Sequence, residues 1–80
     1  MTELTDTVTF DKSTRKATVC PIVTPLYQQV KGVRIEPLGE GFSFSANVFT
    51  AAAEGISPLR FKLYLGEKLY GEYAFSVEYR

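Results

Sequence analysis

Residues 59–80 read LRFKLYLGEKLYGEYAFSVEYR, and apolar residues recur at every second position on both sides of a short polar break. A period of two is the signature of a strand with one buried face. Parity fixes the register of the hairpin. A three-residue loop at Gly66, Glu67 and Lys68 pairs Leu65 with Leu69, Phe61 with Tyr73 and Leu59 with Phe75, with Gly71 opposite Leu63. Lys62 then faces Glu72 and Tyr64 faces Tyr70. A two-residue loop sets Glu72 opposite Phe61, burying an unpaired carboxylate at a cost. A bulge near Gly71 has the same effect as the odd loop.

Working back toward the N-terminus, the same period appears in TVTFDKSTRKATVC, residues 7–20. Pairing Phe10 with Ala17 and Val8 with Val19 keeps all four on one face. Asp11 then lies opposite Lys16 and Thr9 opposite Thr18, with the turn in residues 12–15. In the next stretch Thr24 suits a helix cap, Pro25 the first helical position and Gly32 a C-terminal stop. A helix of about two turns is expected over residues 25–31, with an irregular strand as its rival. A strand follows at residues 33–36, with Val33 and Ile35 inward and Pro37 ending it or marking an edge. Phe42, Phe44, Ala46 and Val48 continue the alternation, with Ser43, Ser45 and Asn47 outward. TAAAEG reads as one helical turn capped by Thr50 and ended by Gly55.

The expected fold is therefore all-β: a small single-domain sandwich or partly open barrel. It has five to six mostly antiparallel strands and at most one short helix. Eighty residues make one domain. A domain of this size buries somewhat over ~60% of its unfolded surface, enough to fold alone with a thin margin. The expected flexible part is the N-terminus, residues 1–6.

Composition excludes much chemistry. The chain has no histidine and one cysteine, which removes Ser-His-Asp and Cys-His nucleophile pairs and thiolate zinc clusters. No Walker-type or dinucleotide fingerprint occurs, and the scattered glycines read as turn signals. Cys20, between Val19 and Pro21, reads as a small packed residue. The glutamates form no motif that suggests an acid–base pair. No catalytic residue, cofactor or metal ligand is expected.

Hydrophobic residues make up 45% and charged residues 22% of the chain, so neither disorder nor a membrane span fits. The first residues lack the basic-then-apolar pattern of a secretory signal, and Met1 reads as a native start. With a single cysteine, this gives a cytoplasmic expectation. Nine basic residues balance nine acidic ones, which disfavours a general polyanion binder. The same balance gives little repulsion between copies.

The outward face of the last hairpin is the candidate site. Arg60, Lys62, Tyr64 and Tyr70 lie there, with Glu72 beside them. Tyrosine and arginine are common anchors of protein interfaces. Basic residues among aromatics also bind single-stranded nucleic acid, although tyrosines are simply good strand formers too. The expected function is a non-catalytic protein–protein interaction module: an adaptor, an inhibitor or an accessory subunit of an assembly. Proteins borne by viruses or plasmids fit that description, though no residue argues for such a source. The alternatives are a nucleic-acid-binding β-domain and a self-assembling protein. Self-assembly is expected through the C-terminal strand, which ends without a cap and pairs with another chain if it lies at an edge.

Overall fold

A computed structural model describes residues 6–80. Seven strands and one helix follow in the order β1 (Thr7–Phe10), β2 (Lys16–Ala17), α1 (Val23–Gln29), β3 (Val33–Pro37), β4 (Phe42–Ser45), β5 (Val48–Ala51), β6 (Leu59–Leu65) and β7 (Lys68–Tyr79). They form a four-stranded sheet, β1-β7-β6-β3, and a three-stranded sheet, β2-β5-β4. β1 approaches β2 at one seam and β3 approaches β4 at the other. Among the described residues neither seam carries a ladder, so the expected small all-β domain stands as two sheets with no closed barrel, built from seven strands where five to six were expected.

The inner faces hold the core. Val8, Phe10, Phe49, Leu59, Phe61 and Leu63 are all buried. Phe49 of β5 meets Phe61 of β6 with ring centroids 5.4 Å apart, and Phe10 of β1 meets Phe42 of β4 at 5.6 Å, so two aromatic contacts join the sheets. Phe61 also stacks against Phe75 at 5.8 Å, within its own sheet. Such ring pairs lie within the attractive range of offset and tilted geometries.

The last hairpin keeps its expected parity where the core requires it. Leu59 pairs with Phe75, Phe61 with Tyr73, Lys62 with Glu72 and Leu63 with Gly71. The three-residue loop is replaced by the bulge. Leu65 pairs with Lys68 across a two-residue turn, and the ladder skips Tyr70 because Tyr64 pairs with Leu69. Gly66 stands at φ 65, a value the tight turn needs and glycine adopts freely.

The first expected hairpin opens instead of pairing. Its turn forms where predicted: Asp11 N–H donates to the Lys16 carbonyl at 2.8 Å. The Asp11 carboxylate accepts from Ser13 N–H, Ser13 Oγ and Thr14 N–H at 2.8, 2.7 and 3.0 Å. These hydrogen bonds, the Ser13 hydroxyl first, hold its carboxyl below the usual carboxylate range. Beyond the turn the two arms part. β1 pairs in parallel with β7, Val8 opposite Val77, while β2 pairs antiparallel with β5, Ala17 opposite Phe49. Arg15, at φ 57, turns the chain between sheets, and Ala51 N–H donates to its carbonyl at 2.8 Å. Val19 has no core-side partner in this arrangement and is 68% exposed, contrary to the expectation.

Three local expectations are also corrected. The helix starts earlier, at Val23, with Ile22 at its cap position and no side-chain cap. Thr24 Oγ1 instead accepts from Cys20 N–H at 2.9 Å, and Pro25 sits in the first turn where no N–H is missed. The run from Phe42 to Val48 is two strands. Ala46 and Asn47, at φ 52 and 64, form a two-residue turn between β4 and β5. Asparagine tolerates that region well. Thr50 lies in β5, so it caps no helix, and TAAAEG is a strand end followed by a bend and a turn at Glu54 and Gly55.

β7 pairs with β6 from Lys68 to Phe75 and with β1 from Ser76 to Tyr79. In sheet order it lies between β6 and β1, and Arg80 N–H donates to the Phe10 carbonyl at 2.9 Å. The last residues of β7 are therefore paired with β1, where a free edge was the condition set for self-assembly. Of the four-stranded sheet, β1 and β3 are the outer strands. The expected flexible N-terminus lies outside the described residues except for Asp6, whose carbonyl accepts from Ser76 N–H at 2.9 Å.

Candidate interaction face

The outer face of the four-stranded sheet gathers the candidate residues. Register places Arg34, Tyr64 and Leu69 in one row across β3, β6 and β7, and Glu36, Lys62 and Glu72 in the next. Arg60 follows, opposite Ala74. Arg60 is exposed, Lys62 and Tyr64 are half-buried, and Tyr70 is 47% exposed.

Tyr64 is the centre of this face. The Arg34 guanidinium carbon lies 4.3 Å from the centroid of its ring, a cation–π stack. Its hydroxyl donates to Glu36 Oε2 at 3.2 Å. One tyrosine thus holds a cation on its face and a carboxylate at its tip. Further along, Arg60 pairs with Glu72 at 3.6 Å, where Lys62 was the expected partner. Exposed pairs of this kind contribute little to stability, about 0–1 kcal/mol.

Tyr70 does not stand opposite Tyr64, as the odd loop had implied. The bulge displaces it and puts Leu69 in that place, 50% exposed. A cleft lined by Leu65, Lys68, Leu69 and Tyr70 opens at this end of the hairpin. A second cleft, lined by Tyr27, Val30, Lys31, Gly32 and Val33, lies at the same end, because Gly66 N–H donates to the Gly32 carbonyl at 2.7 Å. Tyr27 and Val30 are also exposed large hydrophobics. Among the described residues, the exposed large hydrophobics other than Val19 therefore lie at the hairpin end.

Arg34, Glu36 and Leu69 are the members of this face that the sequence reading missed. The alternation of β3 already turned Arg34 and Glu36 outward. What it lacked was the adjacency of β3 and β6, which only strand order supplies. Leu69 was missed because the odd loop assigned it to the core.

The rest of the molecule offers little chemistry. The Cys20 thiol is pushed up to about 12, chiefly by burial and then by the Asp6 charge, so it is protonated at neutral pH. Among the described residues no group of three or more His, Cys, Asp or Glu is placed to hold a metal ion. Among them, too, no helix is long and apolar enough to cross a membrane. In comparisons with family models, curated proteins and solved structures, nothing matches this chain.

Proposed function

We propose that this chain is a non-catalytic protein–protein interaction module that docks a partner on the outer face of its four-stranded sheet, at the hairpin end. The observation that carries this reading is the exposure of Leu69 and Tyr70 beside Tyr64, whose ring is already stacked by Arg34. Tyrosine and arginine held on a rigid strand lose little freedom on binding, and an apolar neighbour supplies area to bury. An adaptor, an inhibitor and an accessory subunit all work through such a surface.

Charge favours a protein over a nucleic acid. Arg34, Arg60 and Lys62 share the outer face with Glu36, Glu72 and Glu78. Carboxylates interleaved with the cations repel phosphates and cancel the counterion release that drives polyanion binding.

The test is capture of a partner by the tagged chain from cells of its source, with nuclease present. One protein recovered near stoichiometry with the wild type, and lost with Leu69→Asp and with Tyr64→Ala, is the expected result. Equal recovery by both variants would remove this face. A salt-sensitive shift of labelled single strands, with no protein recovered, would replace the reading with nucleic-acid binding.

A further inference from the structure

We infer that β3 is a self-pairing edge, through which two copies of this chain join their four-stranded sheets by antiparallel β3–β3 pairing centred on Ile35. The inference goes beyond the proposed docking face, because it uses the strand's edge rather than the hairpin end.

The backbone gives the first argument. Toward β6, Gly66 N–H donates to the Gly32 carbonyl and Leu38 N–H donates to the Arg60 carbonyl. In an antiparallel ladder the direction of these groups alternates. Arg34 and Glu36 therefore bond toward β6, while the main-chain groups of Val33, Ile35 and Pro37 point away from it. On that side β4 approaches at the seam but forms no ladder with β3, so among the described residues these main-chain groups have no strand partner. Two-fold pairing about Ile35 lets the two Ile35 residues exchange both of their bonds. Val33 N–H of each copy then reaches the Pro37 carbonyl of the other. Pro37 has no N–H to offer, so the pairing stops there and cannot run on past the strand.

The charges give the second argument. The same register sets Arg34 opposite Glu36 of the second copy, and Glu36 opposite its Arg34. Both side chains are exposed, and neither has an opposite charge within 4.0 Å among the described residues. Their only partner there is Tyr64, which holds both in place on the outer face. A strand that reads cation, apolar, anion from residue 34 to residue 36 is complementary to its own reverse. Opposite charges facing each other across strands favour pairing, and like charges oppose it. With no net charge on the chain, no long-range repulsion resists the approach. The contact is isologous and uses one edge of each copy, so it closes as a dimer and builds no fibre.

The experiment is sedimentation equilibrium of the intact chain from micromolar to millimolar concentration, with circular dichroism to verify folding. The wild type is expected to move from monomer to dimer over this range. Arg34→Glu sets two carboxylate pairs face to face, and Glu36→Arg sets two cation pairs face to face. Each variant alone is expected to weaken dimerisation by about tenfold or more. An equimolar mixture of the two restores both opposite-charge pairs and is expected to form a heterodimer at least as readily as the wild type. Leu69→Asp, away from this edge, leaves dimerisation unchanged, which separates this inference from the docking face. A wild type that stays monomeric at millimolar concentration would overturn the proposal. So would either single variant dimerising as the wild type does, or a mixture that stays monomeric.

Discussion

The contact between Phe49 and Phe61 is the most direct link between the two sheets, and its energy can be isolated. Both rings are fully buried, with centroids 5.4 Å apart and planes tilted by 41°. A domain of 80 residues has a total stability of roughly 4–12 kcal/mol. Replacing either phenylalanine by alanine costs about 3–5 kcal/mol, which at the low end of that stability range unfolds the chain. Phe49→Leu and Phe61→Leu keep most of the volume and remove the ring. Paired rings are worth about 0.5–1.5 kcal/mol beyond the area they bury. The double variant is therefore expected to be more stable than the sum of the single losses implies, by about that amount. Urea unfolding followed by circular dichroism measures all four proteins. With a slope of about 1 kcal/mol per molar urea, the coupling appears as a midpoint difference of about 0.5–1.5 M. Losses that add within about 0.3 kcal/mol would show that the rings do not touch, and the facing of the two sheets would be refuted.

Other predictions follow from single contacts. Tyr79→Phe removes the hydroxyl that donates to the Ile56 carbonyl at 2.6 Å and is expected to cost about 1 kcal/mol in the same urea assay. Gly41→Ala is expected to destabilise by more than a surface change. Its φ of 107 strains any side chain, and a Cβ there meets Ile56 Cδ1 at 2.9 Å. Asp11 titrates below its unfolded value, so its contribution is full above the usual carboxylate range and is lost as pH falls through its folded value. Asp11→Ala should accordingly flatten the acid limb of the stability profile, and an unchanged limb would refute that assignment. Cys20, buried and with its thiol pushed up to about 12, should not react with a thiol reagent at pH 8 until urea unfolds the chain.

Parity made the β6–β7 ladder legible, because only one alignment of Leu59, Phe61 and Leu63 with Gly71, Tyr73 and Phe75 keeps Glu72 out of the core. Parity could not choose between an odd loop and a two-residue turn with a bulge, since both preserve it. The turn at Asp11 was legible for a similar local reason, its side chain bonding the backbone just ahead. The partners of the strands it joins were not. Val8 and Phe10 alternate identically whether they face Ala17 and Val19 in a hairpin or Val77 and Tyr79 in a parallel ladder. Periodicity names the buried face of a strand and says nothing of its neighbour. The candidate face suffered from the same gap. Arg60, Lys62 and Tyr64 followed from alternation alone, whereas Arg34 and Glu36 joined them only once β3 lay beside β6.

Strand order decides which edges are open and which residues share the outer face, so the placement of β1 is the measurement to make first. A nuclear Overhauser spectrum of the labelled chain reads it directly. Backbone contacts between Val8 and Val77 and between Phe10 and Tyr79 are expected, with the Ser76 and Arg80 amides, which donate to the Asp6 and Phe10 carbonyls, protected from exchange. Contacts between Val8 and Val19 and between Phe10 and Ala17, with those two amides exchanging freely, would contradict the account. They would return the C-terminal strand to an edge.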